Sequence, residues 1–223
     1  MQSPALHIQT MDRVMSHFDG AKIEKFGWGL DDKIALFSTR FAGRKDRYIL
    51  MKQDGKIITE HRELTGSVIR DHLMGKARIG VYPVVDGKAK FGAIDLDSIE
   101  PDHIDGIATA FRSHGWPFKI AISKSGNVHF FVFSSDWMPT APFKRAMENI
   151  AESSGVPRSK GEKGSPDFRP GIDWGRIYPI DGAIFLPFFD LKNSISNGRN
   201  IFVDPKSLQV YDLAGQWREL AQL

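Results

Sequence analysis

Runs of β-branched and apolar residues at Ile79–Val85 and Ala89–Asp97 flank Asp86-Gly87, a two-residue turn signal, and together they predict a β-hairpin. From Pro101 to His114 the period changes: Ile104, Ile107, Ala108 and Phe111 share one face of a helix. Ser98 or Asp102 is positioned to cap its start, and Gly115 follows its end. The pattern then predicts a strand over Phe118–Ser123, a turn at Ser125-Gly126-Asn127, an apolar strand over Val128–Phe133 and a second helix over Pro142–Ser153. Glu152–Gly171, rich in Gly, Pro, Ser and basic residues, reads as a mobile loop. A last apolar strand is expected over Ala183–Phe189, followed by Asn200–Val203 and a terminal helix near Leu213–Leu220.

Read in order, Ala89 to Phe189 spells β-α-β-β-α-β, the ferredoxin-like or RNA-recognition-like (RRM-like) split unit of an α+β protein. Its two helices would cover one sheet face and leave the other open for ligands. The preceding segment mixes a helix at Met11–Phe18, extended runs at Ile34–Phe37 and Tyr48–Lys52, an Asp54-Gly55 hairpin and a helix over Gly66–Met74. It reads as an N-terminal α/β lobe, residues 1–78, packed on a core of residues 79–223.

Composition narrows the chemistry. The 223 residues carry a formal net charge of +3, which tolerates nucleic acid as a partner without demanding it. The absence of cysteine excludes disulfides, thiolate nucleophiles and cysteine-held zinc or iron–sulfur sites. No apolar run is long enough for a membrane span and no signal peptide is apparent, so a cytoplasmic protein without a membrane partner is expected.

The strongest chemical signal is FGAIDLDSIE. Strand residues two apart point the same way, so Asp95 and Asp97 share the open face while Ile94 and Leu96 face the helices. Two carboxylates that close repel unless a cation lies between them. Hard divalent ions such as Mg²⁺ suit that oxygen-rich arrangement. An Asp-X-Asp alone is more often a solvated strand end. The second motif, SKSGNVHFFVF, changes the balance. Val128, Phe130 and Val132 would face the helices and His129 the aspartates, in the neighbouring strand. Its imidazole can meet nucleotide phosphates, with Lys124, Ser125 and Asn127 as further donors and Gly126 allowing close backbone approach.

A third carboxylate should complete a metal site, and Asp173 and Asp181 compete for it. Asp173 is preferred because Arg176 follows closely and can take a triphosphate charge. Basic residues in Arg158–Lys163 and Arg169 suit a phosphate-contacting loop, or simply a solvated surface. Phe131 and Phe133 are candidates for stacking bases on the open face, or for packing beneath the N-terminal lobe. No nucleophile elbow, Walker loop, dinucleotide fingerprint or HExxH appears.

In this order, LFSTRFAGRKDRYIL, HLMGKARIGVYPVV, FGAIDLDS, SKSGNVHFFVF, IDWGRIYPID…AIFLPFF and NIFVDPKSLQVYDLAGQW resemble the archaeo-eukaryotic primase superfamily. The likeness looks closest to the primase domain of TOTE conflict systems and to phage and mobile-element primase-polymerases. It implies a DNA-template-dependent primase-polymerase with a two-metal site of Mg²⁺ or Mn²⁺. Asp95, Asp97 and Asp173 would be the catalytic metal ligands, and His129 would contact the incoming triphosphate. The implied partners are a single-stranded DNA template, a primer strand and NTP or dNTP, with a helicase domain or protein beside them. The implied setting is a bacterial or archaeal cell, with phage or plasmid among the sources. Asn127 stands where the family commonly has serine or glycine, and the third-motif spacing differs by a residue or two. A metal-dependent nuclease on the same acidic cluster is the runner-up, and a non-catalytic nucleic-acid-binding module is the third reading.

Overall fold

The computed structural model describes residues 28–52, 54–161 and 163–222; the helix expected at Met11–Phe18 lies outside them. Six helices and two antiparallel sheets make up the described chain. The first helix, α1 (Leu30–Arg40), begins with Asp31 and Asp32 and ends with Arg40, the charge order that complements a helix dipole. It takes in Ile34–Phe37, expected to be extended. A four-residue apolar run fits either state, and here Ile34, Phe37 and Phe41 form a buried stripe at helical spacing.

Next come β1 (Tyr48–Met51), β2 (Ile57–Glu60), α2 (Gly66–Leu73) and β3 (Arg78–Val81). The Asp54-Gly55 signal does close the β1–β2 hairpin, in a loop pinned by Lys56 N–H donating to Asp54 at 2.9 Å. At Asp86-Gly87 both residues have positive φ, 48° and 70°, as a primed two-residue turn requires. That turn leads into β4 (Lys88–Leu96), followed by α3 (Pro101–Ser113), β5 (Lys119–Ile122), β6 (Val128–Pro139) and α4 (Thr140–Ser153). The α3 N-terminus relies on Pro101 at its first position, with neither Ser98 nor Asp102 capping it; Ser98 instead accepts from the Glu100 N–H just before the helix.

The remaining elements are β7 (Ile172–Tyr178), β8 (Ile184–Phe185), α5 (Leu191–Asn197), β9 (Ile201–Val203) and α6 (Leu213–Ala221). The strands order as β7-β4-β6-β5-β9 in one sheet and β2-β1-β3-β8 in the other. The last expected strand is thus corrected. Beside β4 lies β7, which carries Asp173 and Arg176, whereas Ala183–Phe189 supplies only the short β8 to the smaller sheet. Phe188 has φ 71°, which ends any extended run there.

On one face of the five-stranded sheet, Ile94, Leu96, Val128, Phe130 and Val132 pack against α3 and α4, as the alternation predicts. The opposite face is not open along its length. Phe91, Ala93, Ala121, Phe131 and Phe202 share a core with Phe37, Phe41, Ile79 and Val81 from the smaller sheet and its helices. Phe131 is fully buried and Phe133 packs at the edge of that core, both edge-on to Phe41, so they are packing residues rather than base-stacking ones. Among the described residues no helix is long and apolar enough to cross a membrane.

Candidate active site

The uncovered end of that face holds the charged residues. Asp95 on β4 is the direct cross-strand partner of His129 on β6, which in turn pairs with Ala121 on β5. The register places His129 Nε2 3.2 Å from Asp95 Oδ1. Oδ1 is buried, with that close ring contact but no well-formed hydrogen bond among the described residues. On the other side, β7 bulges. Ile177 pairs with Ile94 and Ile172 with Leu96, leaving residues 173–176 opposite Asp95 alone. A bulge re-aims side chains, and this one turns Asp173 and Arg176 toward Asp95. Arg176 Nη1 lies 3.2 Å from Asp95 Oδ2 and its Nε 3.4 Å from Asp173 Oδ2.

The two motif aspartates therefore sit in unequal surroundings. Asp95 is only 4% exposed. Burial pushes its carboxyl up, but His129 and Arg176 more than reverse this and hold it below the usual carboxylate range. Asp97, one step beyond the strand end, is partly exposed, and its backbone N–H donates to Gly171 at 2.8 Å. Burial, then the negative charges of Asp95 and Asp173, raise its carboxyl, with Lys163 and Arg176 opposing. The charges of Asp95 on β4 and Asp173 on β7 thus both bear on Asp97.

Asn127 donates to Asp97 and accepts from Lys163, linking the turn before β6 to the acidic end and to the 154–171 segment. The loop expected over Glu152–Gly171 begins with the last two residues of α4; beyond them the chain is tied to β7 by Ser159 N–H to Ile172 at 2.9 Å and folds on itself through Lys160 and Arg169. Arg158 lies over Trp174 at 3.8 Å. Lys124 and Ser125 are exposed on the turn, Ser125 being hydrogen bonded to Ser123 at 3.0 Å. Asp181, the rival third carboxylate, is 87% exposed and pairs with Arg47 at 3.7 Å, away from the cluster.

Two cations escaped the sequence reading. Arg199 lies against Gly126 (φ 89°) and donates to the Lys124 carbonyl at 3.3 Å. Arg78 at the start of β3 stacks on Phe185 at 4.6 Å, and burial lowers its guanidinium to about 10. Its Nη1 and the Lys124 Nζ approach the same Met51 sulfur, at 3.9 and 3.8 Å. Among the described residues neither Arg78, Lys124 nor Arg199 has a carboxylate within ion-pair distance. A charge-only signal at the head of an apolar strand could have flagged Arg78; nothing local marks Arg199. A crevice of about 370 Å³ between α3 and α4, lined by Asp105, Thr109, His114 and Ser153, lies on the helical side, away from this cluster.

In chemistry, though not in spacing, the donors are those a hard divalent cation takes: three carboxylates, one with a buried oxygen that has no hydrogen bond among the described residues. Among the described residues no three His, Asp or Glu side chains are gathered closely enough to hold an ion as they stand, and Arg176 lies between Asp95 and Asp173. The model of one protein family, described as TOTE conflict system, Archaeo-Eukaryotic Primase domain, matches residues 52–223. No curated protein matches the chain.

Proposed function

The chain belongs to the archaeo-eukaryotic primase family of TOTE conflict systems, a primase-like nucleotidyltransferase at the superfamily level, and from that premise we propose a DNA-template-dependent primase-polymerase. It joins NTP or dNTP to a 3′-hydroxyl, making primers, extending them, or both. The observation that carries this reading is the pairing of Asp95 with His129 across β4 and β6, with Asp97 and Asp173 within electrostatic reach at the uncovered sheet end.

Asp95, Asp97 and Asp173 are the residues that would hold Mg²⁺ or Mn²⁺. Bound there, the ions would lower the pKa of the attacking hydroxyl and stabilise charge on the leaving pyrophosphate. Positioning falls to this chain's side chains. His129 orients Asp95 and presents its ring to the incoming triphosphate. Lys124, Ser125, Asn127 and Arg176 surround it as donors, and Arg78 and Arg199, which have no carboxylate partner among the described residues, extend that positive rim toward the smaller sheet. Template and primer strands of DNA would lie along it. The order β7-β4-β6-β5, with α3 and α4 as crossovers, supports an RRM-like catalytic core carrying an N-terminal lobe.

The test is extension of a labelled primer on single-stranded DNA, alongside primer synthesis on a circular single-stranded template. Ribo- and deoxynucleotides are compared with Mg²⁺ and Mn²⁺. Lengthening that needs nucleotides, and falls by about 1,000-fold in Asp95→Asn, is the expected result. Shortening of the DNA without nucleotides would replace the polymerase by a nuclease. Undiminished synthesis by Asp95→Asn would remove the carboxylate from the chemistry.

A further inference from the structure

Arg176 makes a pair of contacts that a substrate-binding arginine does not need. One guanidinium reaches two carboxylates on neighbouring strands, Asp95 Oδ2 at 3.2 Å and Asp173 Oδ2 at 3.4 Å. A cation shared by β4 and β7 would draw on these same two carboxylates. The side chain is nonetheless 61% exposed, so it can leave by rotating its own bonds without disturbing the strand. Its partners differ: Asp95 is buried, and Asp173 is the more open of the two.

We propose that Arg176 is an exchangeable counter-ion, neutralising Asp95 and Asp173 in the free protein and moving to the phosphates of an incoming nucleoside triphosphate, so that divalent cation and triphosphate bind with positive coupling. This rests on the carboxylate and triphosphate roles proposed above. A guanidinium stays charged at any working pH, so it competes with a cation by charge and not by losing a proton. A phosphate offers the same planar fork a bidentate partner that is more negative than one shared carboxylate. Removing Arg176 to the substrate exposes the acidic oxygens when the nucleotide arrives, and linkage makes the effect reciprocal. An ion pair whose cation is mostly exposed is worth about fivefold in an equilibrium, which sets the scale of the coupling.

The purely architectural alternative is that Arg176 only holds the β7 bulge against β4. The two roles separate in metal binding measured without catalysis. Mn²⁺ is titrated calorimetrically into the full chain, alone and with a deoxynucleoside triphosphate whose α,β-bridge is imido and cannot be cleaved. Arg176→Gln should bind Mn²⁺ alone about fivefold more tightly than the unmodified chain and bind the analogue more weakly. The gain in its Mn²⁺ affinity on adding the analogue, whose phosphates also ligate the ion, should then be smaller than in the unmodified chain. Arg176→Lys, which keeps the charge, should stay near the unmodified affinity for Mn²⁺ alone. Unchanged or weaker Mn²⁺ binding by Arg176→Gln overturns the exchange, as does an Arg176→Lys affinity equal to that of Arg176→Gln. Asp95→Asn is titrated in parallel. If it binds Mn²⁺ as well as the unmodified chain, the carboxylate reading itself has failed, a distinct result from failure of the exchange.

Discussion

Three successive cross-strand pairs on one face of β4 and β6 run from sealed to reactive: Phe91 opposite Phe133, Ala93 opposite Phe131, Asp95 opposite His129. The first two lie beneath the smaller sheet, where Phe41 meets Phe91, Phe131 and Phe133 edge-on with ring centroids 5.5, 5.5 and 5.2 Å away. The third emerges at the rim. Each step along the face is only about 7 Å, yet side-chain chemistry inverts across one of them. The lesson is that the aromatic end conditions the charged end. His129 abuts Phe131, 5.8 Å between rings, so Asp95 is buried by the same packing that excludes water from the core. A buried carboxylate stays ionised only with partners, and His129 and Arg176 supply them. Asp97, one step farther out, keeps solvent but gains two negative neighbours.

The largest effect expected from breaking this arrangement is at the sealed end. Phe131→Ala removes a fully buried ring between Phe41, Phe91 and Phe202 and should cost about 3–5 kcal/mol, read by urea unfolding. Activity per folded molecule should fall as well, because water would reach Asp95 through the vacated volume. A stability loss below about 1 kcal/mol would mean that the aromatic cluster is loosely packed and does not set the site's dielectric.

Two histidines extend the contrast. His72, at the end of α2, is wholly buried: its Nδ1 accepts from the Ile79 N–H at 3.2 Å, so Nε2–H donates to the Pro187 carbonyl at 2.8 Å. With both nitrogens committed to backbone, burial lowers its pKa to about 4, from 6.5. The unfolded chain takes up the proton first on acidification. The stabilisation is therefore complete above pH 6.5 and is lost progressively as pH falls toward 4, amounting to about 3 kcal/mol in full. His72→Gln should flatten that part of the pH–stability curve. An unchanged slope between pH 6.5 and 4.5 would show that His72 takes up protons in the fold as readily as it does outside it.

His129 at the rim should behave in the opposite manner, affecting substrate more than fold. With the ring beside Asp95 and open to the triphosphate, His129→Ala should raise KM for nucleotide by about tenfold, the weight of one charge-assisted contact, with a small change in unfolding midpoint. An unaltered KM in steady-state incorporation would confine His129 to orienting Asp95.

Much of this face was legible because strand alternation is local: Ile94 and Leu96 inward, Asp95 and His129 outward, and the helical stripe from Ile104 to Phe111 all follow from spacing alone. Apolarity misled where it reported burial under another sheet. Ala183–Phe189 is strongly apolar yet mostly not strand, while β7 is polar because it is an edge strand bearing Asp173 and Arg176. Packing beneath the N-terminal lobe was one of two readings open for Phe131, and nothing in β4 or β6 singles out Phe41 as the residue that covers it. Arg78 and Arg199 come to the Lys124 turn from segments remote in sequence, a juxtaposition that only tertiary packing creates.

The smallest effect is the sharpest test of the charged end. Asp97 is held with a raised carboxyl pKa, so the folded protein retains its proton more readily than the unfolded chain. At neutral pH its ionised form therefore works against folding, and the penalty fades as pH falls through the folded value. Asp97→Asn keeps an oxygen for the Asn127 amide while deleting the repulsion from Asp95 and Asp173. Lost attraction to Lys163 and the partial exposure of the site limit the gain to a few tenths of a kcal/mol, roughly 1 °C in Tm, for the metal-free variant at pH 7. Adding Mn²⁺ should reverse the order, stabilising the unmodified chain more than the variant. A metal-free Asp97→Asn that melts lower at pH 7 would show that the Asn127–Asp97–Lys163 link outweighs the repulsion, and that Asp97 serves as a strut before it serves as a ligand.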